Sequence, residues 1–202
     1  MQMKQRFRGY LPVVVDIETA GFDYQRDAIL EIALVFIKFE NNLLKLGKTK
    51  AYNILPFAGA NINQEALEFN GVRDPFNPLR AALTEKEVLE KLLPLVENEV
   101  KQYKCKKAVL VGHNSWFDLH FLNSAIKRCN LKSPFHSFTS FDTACLGALV
   151  YQHTVLAELV KRANINWDNQ HAHSAIYDAK KTAQLFCDMV NRFDQLSALQ
   201  IV

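Results

Sequence analysis

Residues 13–21 read Val-Val-Val-Asp-Ile-Glu-Thr-Ala-Gly, a β-branched apolar run that delivers two carboxylates and then breaks at a turn of small residues. Three consecutive valines suit a strand covered on both faces, and the two-residue period puts Asp16 and Glu18 on the same side of it. Two carboxylates side by side on a buried strand repel each other and require a counter-charge, for which a divalent cation is the commonest answer. The competing structural reading is a strand end whose acids cap the next turn or pair with basic side chains.

The rest of the chain supplies elements around this strand. Residues 28–39 predict a long second strand bounded by Asn41-Asn42, and a third is expected near residues 50–57; the short connections imply an antiparallel meander. Glu31 falls inside the second strand, where most such residues are locally paired structural groups, so it is not counted as catalytic. Residues 63–71 predict a short helix ended by Gly71. Thr84 and Glu87 form a capping-box pattern that opens a helix carrying Val88, Leu89, Leu92, Leu95, Val96 and Val100, which Pro94 should kink or split. A strand at 108–111 then leads through 112–118 into a helical pattern. Asp118 thus lies near a helix N-terminus, where the dipole and free N–H groups favour an anion, with capping as the bland alternative. A strand near 137–141 ending at Asp142, a helix starting at Thr154, and a last helix opened by 170–178 and reaching about Phe193 complete the pattern.

Strands crowd the first third and helices alternate with single strands afterwards. That order predicts an α/β fold whose sheet is antiparallel on one side and parallel on the other, with helices on both faces. A length of 202 residues with 49% hydrophobic content fits one domain spanning 1–202, with a basic arm over about 1–10. The 24 Lys and Arg against 21 Asp and Glu leave +3, which hints at an anionic partner without establishing one. Cys105, Cys129, Cys145 and Cys187 lack CxxC spacing, and the N-terminus lacks a signal-like apolar segment, so a reduced, cytoplasmic location is expected. No apolar run approaches the roughly 20 residues of a membrane span, and no membrane partner is expected. A zinc site built from the histidines and cysteines fails on spacing.

Asp16 and Glu18, Asp118, and Asp178 come from well-separated elements, and His173 stands five residues before Asp178. Together these residues resemble the DEDDh exonuclease family, whose last motif is His, four residues, Asp. The similarity runs from about Arg8 to Asn191 and includes Phe7-Arg8-Gly9-Tyr10, Glu65-Ala66-Leu67-Glu68-Phe69-Asn70-Gly71, His113-Asn114-Ser115-Trp116-Phe117-Asp118, Phe141-Asp142-Thr143-Ala144 and Ala172-His173-Ser174-Ala175. It implies a ribonuclease H-like mixed five-stranded sheet flanked by helices on both faces. It also implies 3′-to-5′ hydrolysis of single-stranded ends, releasing nucleoside 5′-monophosphates, with two divalent cations per subunit, normally Mg²⁺ with Mn²⁺ as a substitute.

By the same resemblance, Asp16 would bridge the cations, Glu18 and Asp178 would hold the one that activates water, with His173 at that metal site, and Asp118 would help hold the other. His173 would be the general base; His171, seven residues before Asp178, does not fit the spacing. Phe22, Phe69, Phe117 and Phe138, with Glu65 beside them, would bind the bases of a single strand, against the alternative that these rings are simply core. A homodimer is implied, in which a basic patch on one subunit feeds nucleic acid to the other's acidic site. The cations available for it are Lys4, Arg6, Arg8, Lys101, Lys104, Lys106, Lys107, Lys127, Arg128 and Lys132. The implied substrates are 3′ ends of transfer RNA, ribosomal RNA and small stable RNA precursors, and of single-stranded DNA. The alternatives are an oligoribonuclease, a polymerase proofreading subunit, for which a longer polymerase-binding tail is expected, and a non-catalytic binding module, which the presence of all five active-site groups argues against.

Overall fold

The computed structural model describes residues 3–172 and 174–199. Strand β1 (Tyr10–Thr19) is followed by β2 (Ile29–Glu40), β3 (Leu43–Leu55), α1 (Gln64–Phe69), β4 (Leu83–Thr84) and α2 (Glu85–Gln102). The second half alternates: β5 (Lys107–Gly112), α3 (Trp116–Arg128), β6 (Phe135–Asp142), α4 (Thr143–Tyr151), α5 (Leu156–Arg162) and α6 (Ala175–Leu199). The strands form one sheet in the order β4-β3-β2-β1-β5-β6. β1, β2 and β3 pair antiparallel, whereas β1–β5, β5–β6 and β3–β4 are parallel, so the sheet is mixed as expected. It holds one strand more than the five expected, because the two-residue β4 adds to the edge of β3.

β1 is the axis of the sheet. Val13, Val14 and Val15 are all fully buried, so both faces of the strand are covered. α6 packs on the sheet with α4 and α5 against it, while α2 and α3 pack together elsewhere on the sheet. Leu89, Leu92, Phe121, Leu122, Phe135 and Phe186 join the valines in the main core; burying each such side chain contributes about 1.5–3 kcal/mol.

Four local expectations are corrected. β3 starts at Leu43 rather than near residue 50, because Asn41 and Asn42 both take left-handed φ values, 52° and 62°, and close a two-residue hairpin turn that pairs Glu40 with Leu43. Pro94 does not split α2: it lies on the exposed side, where water can satisfy the carbonyl bond it removes. A helix over Thr143–Tyr151 was not foreseen; Asp142 caps it, accepting from the Ala144 N–H at 2.9 Å. α5 begins at Leu156, with Val155 rather than Thr154 at its N-cap. The capping box at Thr84 and Glu87 is present with both of its bonds.

Candidate active site

Asp16 and Glu18 lie near the C-terminal end of β1, opposite Ala33 and Glu31 of β2 and beyond Val14, where the pairing with β5 ends. The turn after them is tightly built. Thr19 donates from Oγ1 to the Gly21 carbonyl, the Ala20 N–H bonds the Ala28 carbonyl, and a Cβ on Gly21 would come 2.1 Å from Asp27 Oδ2, so only glycine fits. The chain leaves this turn with Phe22 pointing into solvent, 86% exposed. α1 is tied to the same turn: the Asn63 N–H bonds the Ala20 carbonyl, and the Asn70 side chain donates to the Thr19 carbonyl at 2.9 Å. These bonds place Glu65 and Phe69 beside Glu18.

Asp118 arrives from the other side of β1. It sits in the first turn of α3, only 4% exposed. Gly112 makes room for it, since a Cβ there would stand 3.1 Å from Asp118 Oδ2. Asp142 orders the intervening loop by accepting from the Asn114 and Ser115 N–H groups at 3.1 and 3.0 Å. Asp178 lies in the first turn of α6, whose start is fixed by the Tyr177 and Asp178 N–H groups bonding the Ser174 carbonyl. His173, the expected general base, lies outside the described residues. His171 pairs with Asp168 at 2.8 Å and stacks near Tyr177.

The four carboxylates act on one another. Burial, then the charges of Asp118, Glu18, Asp178 and Glu31, push Asp16 well above the usual carboxylate range. Burial, then Asp178 and Glu31, push Glu18 up to about 7. Burial likewise raises Asp118 despite its hydrogen bonds. Among the described residues no Lys, Arg or His pairs with Asp16, Glu18 or Asp118. Mutually repelling and oxygen-only, this donor set fits hard divalent cations. Among the described residues no three His, Cys, Asp or Glu side chains stand close enough together to form a metal-ligand group.

Glu31 is the residue that sequence reasoning set aside. It stands directly opposite Glu18 across the β1–β2 ladder and adds to the repulsion on both strand-one carboxylates. The only signal available was a charged residue in an apolar strand.

Phe22, Glu65, Phe69 and Phe117 line one cleft of about 350 Å³ together with Glu18. Phe22 and Phe69 are 86% and 66% exposed, and the Phe22 and Phe117 rings meet edge to face at 6.1 Å. Phe138, 80% exposed, lines the neighbouring cleft instead. Large apolar rings held in water around an acidic site mark a binding surface rather than a core.

The basic residues divide. Arg8, Lys106 and Lys107 come together where β1 and β5 begin: the Lys106 N–H bonds the Gly9 carbonyl and Tyr10 pairs with Lys107. Lys101, Lys104 and Lys132 are exposed as well. Arg6 does not join this surface, because it is bound to Asp194 of α6 at 2.5 Å and lies against the Phe7 ring. Arg128 is similarly taken up, forming two bonds to Glu85 at 2.8 and 3.1 Å. The Arg8–Lys107 cluster lies at the far end of β1 from Glu18, eight residues or about 26 Å along the strand.

A family model described as Exonuclease matches residues 13–186. The chain is 50% identical over 204 residues to ribonuclease T of Vibrio vulnificus, covering 100% of this chain and 94% of that one. It is 53% identical to ribonuclease T of Marinobacter nauticus over 196 residues, 96% of this chain and 88% of the relative. Among solved structures, the nuclease domain of 3′hExo, a DEDDh family member bound to rAMP, aligns with TM-score 0.69 at 19% identity over 90% of this chain and 92% of that one. Exonuclease I of E. coli in complex with a dT13 oligonucleotide aligns with TM-score 0.70 at 18% identity, covering 94% of this chain and 43% of that chain.

Proposed function

Because the chain belongs to the exonuclease family of the ribonucleases T, and is a 3′-to-5′ exoribonuclease dependent on divalent metal, we propose that it trims single-stranded 3′ ends of transfer RNA and other stable RNA precursors, and of DNA. The observation that carries this reading is the cleft of Phe22, Phe69 and Phe117 opening directly onto the Glu18 end of the carboxylate cluster. Exposed rings accept any base by stacking and demand no complementary strand, so they select unpaired ends.

In this reading Asp16, Glu18, Asp118 and Asp178 hold two Mg²⁺ ions. When bound, the ions position the scissile phosphate, lower the pKa of the attacking water and stabilise the leaving 3′-oxygen. The protein's part is positional. The Thr19–Gly21 turn sets the base cleft against the carboxylates, Asp142 orders the loop that leads to Asp118, and His173 takes the proton from the attacking water. Glu65, on the cleft wall, is placed to accept hydrogen bonds from a bound base.

The position of Arg8, Lys106 and Lys107 at the opposite end of β1 supports a homodimer in which this cluster serves the partner's site. The four free thiols suit a reducing compartment, the cytoplasm. A series of single strands and duplexes with short 3′ overhangs, in RNA and DNA, tests the reading. Mg²⁺-dependent release of 5′-mononucleotides that stops near the duplex is expected. Cleavage confined to very short oligomers would overturn it in favour of an oligoribonuclease.

A further inference from the structure

The chain segment 166–172, which follows α5 and leads to His173, is folded around one side chain of α6. The Asp168 N–H bonds the Tyr177 hydroxyl oxygen at 2.5 Å. The Trp167 ring meets the Tyr177 ring edge to face at 5.3 Å, and the His171 ring stacks near it at 6.0 Å and 27°. One turn further along α6, the Lys181 ammonium donates to the Asn166 carbonyl and stands 5.1 Å from the centre of the same Tyr177 ring.

Inside the segment, the Asp168 carboxylate accepts from the Gln170 N–H at 2.9 Å and pairs with His171 at 2.8 Å, while Trp167 Nε1 donates to the Asn169 side chain at 2.8 Å. It is therefore a closed turn seated on a dock of two residues, Tyr177 and Lys181, four apart and so on one face of the helix. The helix is the rigid side of this contact. Ala175, Ala179, Ala183 and Phe186 sit in the main core, and Asn191 exchanges two hydrogen bonds with Leu44 of β3. Packing alone would not call for the pattern: a half-buried ring needs no hydroxyl aimed at a backbone N–H, nor a lysine turned back onto a carbonyl two residues earlier. His171, which the motif spacing leaves out, lies against the docked ring two residues before His173. Two residues span at most about 7 Å, so the seat of His171 limits where His173 can stand.

Given His173 as the general base, on which this inference rests, we propose that Tyr177 and Lys181 are positioning residues for the reaction: they dock residues 166–172 on α6 and thereby deliver His173 to the carboxylate cluster. Tyr177 acts through its hydroxyl on Asp168 and its ring face on His171, and Lys181 acts through the Asn166 carbonyl. Neither touches the substrate.

The test compares the native chain with Tyr177→Phe, Lys181→Met and the two combined, each also made on a His173→Ala background. It reads kcat and KM on a single-stranded oligonucleotide, the number of Mn²⁺ ions bound, and hydrogen exchange at the Asp168 amide. Each bond is worth about fivefold in the docking equilibrium. The combined variant should lower kcat about tenfold or more, keep the native KM and Mn²⁺ count, and exchange the Asp168 amide faster. On the His173→Ala background the same changes should cost no further activity, a non-additivity that a general loss of folding does not produce. A combined variant that keeps the native kcat, loses the same factor with and without His173, or sheds Mn²⁺ would overturn the dock and leave the exonuclease reading intact. A His173→Ala chain as active as the native one would overturn the general-base reading, and the dock with it.

Discussion

Glu31 on β2 stands directly across the antiparallel ladder from Glu18 on β1, so two carboxylates share one face of adjacent strands. Glu31 also accepts the Ala175 N–H, at 3.4 Å, at the start of the helix that carries Asp178. It therefore combines a charge that raises Glu18 and Asp16 with a bond that helps seat α6. Glu31→Gln separates these roles, since the amide keeps an acceptor for Ala175 and removes the charge. In EDTA the variant should gain about 1 kcal/mol, or some 2–4 °C in Tm for a chain of this size. The Mg²⁺ concentration giving half-maximal activity should rise severalfold. Glu31→Ala should lose the bond as well and show a lower kcat.

Metal-free stability should depend on pH with a definite sign. Between the ordinary glutamate value of 4.5 and about 7, folded Glu18 keeps a proton that the unfolded chain has released. The folded state binds more protons in this window, so stability falls as pH rises through it. The shift corresponds to at most about 3 kcal/mol, reduced to about 1–2 because Glu18 keeps part of its surface in water. Urea unfolding in EDTA at mildly acid and mildly alkaline pH measures it. Glu18→Gln should flatten the dependence, and saturating Mg²⁺ should reverse the loss for the native chain.

Asp142 is a positioning residue. It accepts from the N–H groups of Asn114, Ser115 and Ala144, and thereby sets the loop that delivers Asp118. Asp142→Ala should cost about 1–2 kcal/mol in stability, as for loss of a helix cap. It should also lower kcat through Asp118 and raise KM through Phe117, since the same loop leads to both. Partial rescue by Asp142→Asn, which retains one acceptor oxygen, distinguishes this from a general loss of folding.

Gly21→Ala tests the turn. Its Cβ would strike Asp27 Oδ2, and relieving the clash displaces the segment that carries Phe22. Overpacking of this kind costs about 1–3 kcal/mol. The expected kinetic result is a raised KM for single strands, read in the same assay as a Phe22→Ala control.

If the basic cluster acts across a dimer, two defective chains should complement each other. Asp16→Ala keeps Lys106 and Lys107 but lacks the site, whereas the Lys106→Ala/Lys107→Ala double variant keeps the site. Mixing and re-equilibrating the two should restore activity that neither has alone. The double variant should also bind single strands with a salt slope shallower by about 1.4, two contacts at about 0.7 each. No recovery on mixing would place the cluster's action within its own subunit.

Legibility in the sequence followed the range of the interactions. The Val13–Val15 run and the period of two put Asp16 and Glu18 on one face of a buried strand. The capping pattern at Thr84 and Glu87 and the Gly71 stop are equally local, and all appear in the fold. Glu31 was passed over because its meaning lies in the ladder register with Glu18 across a turn. Arg6 reads as a free arm residue because its partner, Asp194, is 188 residues away. The helix of Thr143–Tyr151 was hidden by Gly147, which is glycine because Leu159 Cδ1 would lie 2.3 Å from any Cβ there. The ring contacts from Phe117 through Trp116 and His120 to Tyr24 join two segments that only tertiary packing brings together.

In the proposed function Asp16, Glu18, Asp118 and Asp178 together hold two catalytic divalent cations. Counting bound Mn²⁺ by electron paramagnetic resonance, with a 5′-mononucleotide present, tests it most directly when the same samples are assayed for 3′-end trimming. The native chain should hold two ions per subunit, and Asp16→Ala should hold at most one and release no mononucleotide. An Asp16→Ala chain that still binds two ions and trims 3′ ends at the native rate would contradict it.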